Sequence, residues 1–579
     1  MQGAQLETPE QDALFAGYDA DLEALAAAKD RWAKTSVAER LRLLGEAREG
    51  TMQAAQAWAE ASARGKGIDP DSPLVGEEWL AGPYATLLGI DGFRLTLSQM
   101  DDKAFLDDLP VRTLPNGQTA VEVLPHSTWD KLLLSGVTAE VWMEPGVGPD
   151  DLEKHAASAY DVPVVERMGI VALVLGAGNI AAIPPTDVLY KLLVENQVVL
   201  LKMNPINDYL TPYFRQALAP FIEADVLRIV SGDARGGAYL CEHPLVEELH
   251  VTGSEATHDA IVWGPGEEGA ANKAAGTPKN TRRFTSELGN VSPTIVVPGP
   301  WSKADIRFQA ENLATMKLHN AGHNCVALQS VVMPRGWEHG GALLDEFKRV
   351  AAEVRRPSWY PGADDRVETF ADRGADVDVV DRGPDAPPLV IGDLSPGDFN
   401  SSCEVFGHAV GVTELDAPDP ETFLRAAIAH ANEHLHGTLG ASVLIHPKTV
   451  DQIGRDRFEE IIADLHYGTV AVNAWSALAF LLPMCPWGAY PGHTLDDIQS
   501  GVGIVHNSFM FERVERVVVE APWRPFPRGV ASGQFTLLPR PPFFVTNKRQ
   551  HVIGRLLTEF QYSPGWLKLP RIFANALRG

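Results

Sequence analysis

The strongest chemical signal in the chain is Asn320-Ala321-Gly322-His323-Asn324-Cys325, a polar, glycine-containing loop that delivers a cysteine just ahead of a strand predicted over 328–333. A free cysteine is commonly inert core packing, but one presented on a polar loop is placed to act as a thiolate nucleophile. A second signal is Ser286-Glu287-Leu288-Gly289-Asn290-Val291-Ser292-Pro293, where Glu287 precedes a glycine that permits a turn. That carboxylate is either a solvated surface group or a general base held close to a reacting centre. Two further stretches suit an anionic ligand. Gly176-Ala177-Gly178 follows an apolar run, although Ala181 stands where a third glycine of G-x-G-x-x-G would fall. Val251-Thr252-Gly253-Ser254 joins a predicted strand to a predicted helix, where unpaired backbone N–H groups can face a pyrophosphate; the plainer reading of Ser254 is an N-cap. His319 and His323 flank the thiol, but a metal held by both together with Cys325 would occupy the nucleophile, so no metal is expected and His323 reads as a solvated loop residue.

These residues need a scaffold, and the hydrophobic pattern supplies an α/β one. Residues 12–66 read as helices, with Ser36 and Glu39 fitting a capping box. The stretch 68–150 reads as an antiparallel hairpin or other linking structure. From 169 the pattern alternates: strands over 170–175, 198–202, 226–230 and 247–251, with helices over 187–196, 209–222 and 255–262, the repeat of an open parallel sheet that binds a dinucleotide. A glycine-rich stretch, 264–280, reads as a structureless surface insertion, and 355–388 as a long loop. Further strands are predicted over 294–297, 328–333, 441–445 and 469–472.

The bulk properties narrow the function. A chain of 579 residues suggests two or three domains. The divisions expected are 1–285 for N-terminal helices and an NAD(P)-binding domain, with a linking or oligomerisation segment near 110–150, then 286–480 for a catalytic domain and 481–579 for a return segment and C-terminal extension. A net charge of −27 disfavours nucleic acid as a partner. The four cysteines, Cys241, Cys325, Cys403 and Cys485, form no C-x-x-C pair, which fits a reducing compartment. With no signal-peptide pattern at the N-terminus and no apolar run long enough to span a bilayer, a cytoplasmic location is expected. The end of the chain differs: 521–579 carries nine Lys or Arg against the single acid Glu559, with Phe543, Phe544, Phe560, Trp566, Leu567 and Phe573 interspersed. Such a tail can dock onto the acidic body or a sister subunit, or touch an anionic membrane surface; docking is the plainer reading.

Taken in order, the motifs resemble the aldehyde dehydrogenase superfamily from about residue 30 to about 505. The stretch 176–180 resembles its asparagine loop, 200–202 its cofactor lysine, 251–254 its pyrophosphate turn, and 286–293 its glutamate motif. Residues 322–325 resemble its nucleophile motif, Glu404-Val405-Phe406-Gly407 its E-x-F-G motif, and 467–473 its Y-G-T-V-x-V-N strand. The resemblance implies a Rossmann-like dinucleotide-binding domain plus a second α/β catalytic domain, with the C-terminal tail as an addition. It also implies NAD(P)-dependent oxidation of an aldehyde to a carboxylic acid through a thiohemiacetal and a thioester on Cys325. Asn179 would steady the oxyanion and Glu287 would activate water. On the cofactor side, Lys202 would reach the adenosine ribose, Gly253 and Ser254 the pyrophosphate, Glu404 the nicotinamide ribose, and Phe406 would pack beside the nicotinamide. A homo-oligomer is the expected assembly.

Three departures qualify this picture. Gly178 replaces a common tryptophan and would leave the substrate tunnel less crowded. Lys202 is followed by Met203-Asn204-Pro205 rather than an acid, which keeps NADP beside NAD. Asn290, and the loosely matching Pro486-Trp487-Gly488-Ala489, alter local loops. The rivals are a coenzyme-A-dependent acylating enzyme or acyl-CoA reductase, against which Glu287 argues, and a catalytically silent scaffold of the same fold.

Overall fold

The computed structural model describes residues 8–524 and 540–579. Two mainly parallel sheets organise these residues. The first has the order Gly501–Val502, Phe284–Leu288, Glu248–Gly253, Val171–Leu175, Val198–Lys202, Leu227–Val230. Its five longer strands run parallel, and the two-residue edge strand is antiparallel. All residues of Val198–Lys202 and Phe284–Leu288 are buried, as expected for strands covered on both faces. The chain starts in the middle of this sheet, adds two strands to one side and then two to the other. The order therefore reverses between Val171–Leu175 and Glu248–Gly253, where open α/β sheets leave a ligand crevice at their carboxyl ends.

The second sheet has eleven strands. At its centre Pro293–Val296 pairs in parallel with Ser330–Pro334 and Gly440–Leu444, and Gly440–Leu444 with Thr469–Val472. The division expected at 285/286 falls within Phe284–Leu288, the last of the first sheet's parallel strands. Helices Thr8–Ala33 and Val37–Gly65 pack on the first half, with Trp32 and Trp58 fully buried and Trp32 Nε1 donating to Leu192 O at 3.0 Å.

Several expectations need correction. Only half of the capping box forms: Ser36 accepts from the Glu39 N–H, while the Glu39 carboxylate turns to Arg42. The segment 68–150 begins with helix, Val75–Trp79 and Ala85–Ser98 joined by a π turn over Leu80–Tyr84 around Gly82 and Pro83, before its antiparallel strands. The glycine-rich stretch contains helix Gly266–Ala275, closed by Gly276 at φ 64°. The long loop contains helix Ala363–Arg373 and strand Ala375–Val380. In both cases a high share of glycine, proline or charge masked a short helix, of which only Ala363–Arg373 has an apolar stripe.

The C-terminal part is also more integral than expected. Strand Val514–Glu520 lies inside the large sheet, between Thr138–Met143 and Thr469–Val472. Helix Gln550–Tyr562 docks on Val75–Trp79 at a close glycine contact, since a Cβ on Gly76 would collide with the Gln550 backbone and one on Gly554 would lie 2.9 Å from Trp79 Cβ. Basic residues meet acids of the body: Arg540 Nε pairs with Glu311 at 2.9 Å, and Arg48, itself bound to Asp91 at 2.7 Å, donates to the carbonyls of Gln561 and Tyr562. The described part of the tail is therefore docked on its own chain, with Trp566 and Leu567 left exposed. Among the described residues no helix is long and apolar enough to cross a membrane.

Candidate active site

Helix Lys303–Leu318 ends at His319, and the following residues turn through Asn320, Ala321 and Gly322, all at positive φ (51°, 57° and 82°). Alanine there is strained, and Gly322 admits no side chain because a Cβ would press on the Gly407 carbonyl. Buried charges fix this conformation. Glu77 accepts from the Asn320 N–H at 2.8 Å, and Lys66 Nζ reaches Asn320 Oδ1 at 3.0 Å and Glu78 at 2.9 Å; Arg356 sits against Glu77. The turn presents Cys325 half-buried, with its thiol 3.7 Å from Glu287 Oε1.

Glu287 lies on the fully buried strand Phe284–Leu288, so the solvated-surface reading of this residue is wrong. Trp487 Nε1 donates to its Oε1 at 2.6 Å, and its Oε2 has no hydrogen-bond partner among the described residues. Burial, with Asp187 adding to it, pushes the carboxyl up to about 8 against the pull of Trp487 and Cys325. Burial, then the nearby Glu287 and Glu404, pushes the Cys325 thiol well above its ordinary value. Asn179 joins the same group: its Nδ2 donates to His323 O at 3.0 Å, leaving the second N–H of the amide for another acceptor. His323 is fully buried, not solvated. Its Nδ1–H donates to Phe406 O at 3.0 Å, and burial lowers its basicity to about 3, so the ring is neutral.

The candidate cofactor residues surround a different space. A cavity of about 960 Å³ opens at the carboxyl ends of Val171–Leu175, Val198–Lys202 and Glu248–Gly253, lined among others by Gly176, Lys202, Gly253, Asn280 and Arg282. Lys202 is buried, which lowers its ammonium's pKa against the opposing pull of Asp233 and Asp208. Asn280 Nδ2, on the cavity wall, is buried without a partner among the described residues. Ser254 caps helix Glu255–Val262 by accepting from Thr257 N at 3.2 Å, so its plainer reading holds and the N-terminus of that helix follows the cavity-lining Gly253. Size, position at the reversal of strand order and an unpaired donor all fit a dinucleotide.

Glu404 and Phe406 line neither space and pack near the Cys325 loop instead. The Glu404 carboxylate lies against Gly289, where any side chain would collide with it. Burial pushes it up to about 8 although Lys317 and Arg366 pull the other way, and its Oε1 is unpartnered. Phe406, at φ 47°, packs its ring 4.9 Å from Tyr360 and 5.7 Å from His323. The expected roominess beside Gly178 is absent: a Cβ there would meet the Asn204 side chain at 2.8 Å.

The remaining neighbours of Cys325 were not identified from sequence. A pocket of about 60 Å³ beside the thiol is walled by Ile180, Trp475, Phe480, Trp487 and, from the C-terminal segment, Phe543. Trp487 lay in the motif that matched only loosely, which was a signal of position but not of its bond to Glu287. Lys317, fully buried with an unpartnered Nζ and lowered to about 7 by burial, gave no sequence signal because a lysine inside a helix normally reads as a surface residue. The loop 176–180 connects the two spaces, with Gly176 on the cavity and Ile180 on the pocket.

With this geometry in place, comparison with known proteins identifies the fold. Residues 169–355 match the model of the aldehyde dehydrogenase family. An aldehyde dehydrogenase of Entamoeba histolytica is 26% identical over 262 residues, which are 43% of this chain and 42% of that protein; the chain thus spans less than half the length of this curated relative. Two solved structures share the fold across most of both chains. Aldehyde dehydrogenase C of Pseudomonas syringae, a mutant in complex with NAD+ and octanal, has a TM-score of 0.58 at 17% identity, covering 87% of this chain and 89% of that one. The NADP-dependent glyceraldehyde-3-phosphate dehydrogenase of Bacillus halodurans, in complex with NADP, has a TM-score of 0.55 at 17% identity, covering 86% and 90%. The superfamily resemblance and the α/β fold read from the sequence are borne out.

Proposed function

We propose that this chain, with the fold of the aldehyde dehydrogenases and a central segment matching their family model, oxidises an aldehyde to a carboxylic acid with NAD or NADP as acceptor. The observation that carries the reading is the thiol of Cys325 placed 3.7 Å from the Glu287 carboxylate, on a loop whose carbonyl holds Asn179. The thiol is poorly acidic where it stands, so Glu287 takes its proton as sulfur bonds to the carbonyl carbon. The alkoxide formed accepts from the free N–H of Asn179 and from the Cys325 backbone N–H. In the large cavity Lys202 would hold the adenosine ribose of a dinucleotide, Gly253 and Ser254 its pyrophosphate, and Glu404 and Phe406 its nicotinamide end, and the bound group would supply a hydride acceptor. Loss of hydride leaves a thioester on Cys325. Glu287, after releasing the thiol's proton to solvent, draws a proton from water, hydroxide adds to the thioester, and the acid departs as protonated Glu287 returns that proton to the leaving thiolate.

The titratable groups suit this cycle. A carboxyl near 8 keeps both its protonated and ionised forms populated around neutral pH, and can therefore both accept and return a proton. NAD and NADP both remain acceptors, since the related folds bind one or the other. The test is absorbance at 340 nm with each dinucleotide, a panel of aldehydes, and Cys325→Ala as control, with and without coenzyme A. Reduced dinucleotide formed without coenzyme A and lost in the variant is the expected result. A strict requirement for coenzyme A would replace this reading with the acylating reaction, and silence across the panel would replace it with a non-catalytic scaffold.

A further inference from the structure

The pocket beside Cys325, at about 60 Å³, is far smaller than the cavity of about 960 Å³, so a substrate with an extended chain does not fit within it alone. The remainder of any larger substrate must continue into neighbouring space, and two further cavities adjoin. One, of about 90 Å³, shares Trp475, Leu478 and Phe543 with the pocket; the other, of about 250 Å³, shares Leu481 with it. The two are separated from each other by Leu133, Leu134 and Pro542. All the partitions are thus apolar side chains.

Among the described residues no Lys or Arg lines this path, and its polar side chains mostly have partners, His319 Nδ1 being an exception. Trp475 Nε1 donates to Val326 O at 2.7 Å and Trp487 Nε1 to Glu287. In the cavity of about 250 Å³, the Asp130 carboxylate is held by the backbone N–H groups of His126 and Ser127, and Asp91 by Arg48 and Gln561. A substrate carrying a carboxylate or phosphate along this path would lose its hydration without gaining an ion partner, a large penalty. An alkyl or aryl tail would gain from the same burial.

Resting on the aldehyde-oxidising reading, we propose that the substrates are aldehydes with extended, uncharged apolar tails, and that the tail runs from Cys325 past Phe543 beneath the C-terminal segment. Phe543 is the specificity-determining residue. It comes from the segment that follows the docked Arg540, and its ring lies 6.4 Å from Trp475 and 5.6 Å from Phe544, so it closes the pocket in the present arrangement. The C-terminal segment is therefore a wall of the substrate channel.

The experiment compares kcat/KM for propanal, hexanal, decanal and a carboxylate-terminated aldehyde of hexanal's length, in the full-length chain and in Phe543→Ala and Phe543→Trp. In the wild type, kcat/KM should rise by up to about fourfold per methylene until the channel is filled, and the carboxylate-terminated aldehyde should fall at least tenfold below hexanal. The ratio of decanal to propanal should rise at least about fivefold in Phe543→Ala and fall in Phe543→Trp; a ratio within one enzyme is independent of how much of it folds. A ratio unmoved by both substitutions, or equal use of the charged and uncharged aldehydes, overturns the channel while leaving Cys325-dependent oxidation intact. Absence of Cys325-dependent oxidation of every aldehyde instead overturns the reading on which the channel rests.

Discussion

The two spaces that meet at the loop 176–180 solve opposite problems. The large cavity is roomy and carries paired charges at its wall, such as Glu242 with Lys279 at 2.8 Å, beside the one buried donor Asn280 Nδ2 that has no partner among the described residues. The pocket at Cys325 is small and apolar, and the groups around it, Glu287, Glu404 and Lys317, are buried with unpartnered polar atoms. Such arrangements are costly and persist where the surrounding fold over-determines them. Here the over-determination is visible in the positive-φ turn and the Lys66, Glu77, Glu78 and Arg356 cluster that holds it. Binding is assigned to the space where desolvation is mild, and bond-making to the one where each proton is energetically expensive to move without a fixed partner.

Breaking the dry side should have the largest effect. Cys325→Ala should lower turnover, read as reduced dinucleotide at 340 nm, at least about a thousandfold. Glu287→Gln should lower turnover by about 100- to 10,000-fold with no burst of reduced dinucleotide, because the thiol keeps its proton and sulfur adds slowly. A burst followed by a slow steady state would place Glu287 at hydrolysis of the thioester only. The wild-type hydrolysis rate should rise with pH and level off above about 8, as the Glu287 carboxyl loses its proton. Stability should move the other way: a folded carboxyl raised above its unfolded value favours the native state at low pH, and that contribution is lost as pH climbs from about 4.5 to about 8.

Lys66→Met tests whether the buried cluster positions the turn. Leaving Glu78 without its cation should cost about 3–5 kcal/mol of stability, measured by denaturant unfolding. At a temperature where the variant is folded, kcat should fall more than KM changes. Equal loss in both, or none, would make the cluster a feature of stability alone.

The contrast also explains what the sequence disclosed. Strands such as Val198–Lys202 were legible because burial on both faces leaves an uninterrupted apolar run, and Cys325, Glu287 and Asn179 because short motifs hold them. Helix Ala363–Arg373 was not, since four of its eleven residues are Asp or Glu and only a narrow stripe, Ala363, Val367 and Phe370, is buried. Lys66, Lys317, Trp487 and Phe543 act across separations that no local spacing encodes; Trp487 meets Glu287 200 positions away. The boundary near 505 was drawn where motif similarity fades, yet Val514–Glu520 is an interior strand.

On the open side the effects should be smaller and fall on binding. Lys202→Ala removes one charged contact from a cavity with others, so the KM for the dinucleotide should rise about 10- to 100-fold with kcat nearly unchanged. A fall in kcat at saturating dinucleotide would mean that Lys202 also aligns the nicotinamide end, which would weaken the division of labour between the two spaces.

The smallest expected effect is the one that joins the regions. Arg540 pairs with Glu311, a residue of the helix that leads into the Cys325 loop, and three positions later the chain supplies Phe543 to the pocket. Both side chains keep partial solvent contact, at 23% and 15%, so Arg540→Ala should cost only about 1 kcal/mol of stability. Its sharper readout is kinetic: loosening this anchor frees Phe543, so the preference between decanal and propanal should shift in the direction of Phe543→Ala, by a smaller factor, while the pH dependence set by Glu287 stays put. A moved pH profile with unmoved chain-length preference would mean that the anchor acts through helix Lys303–Leu318 on the thiol and carboxylate, and the C-terminal segment would then belong to the chemistry and not to the channel.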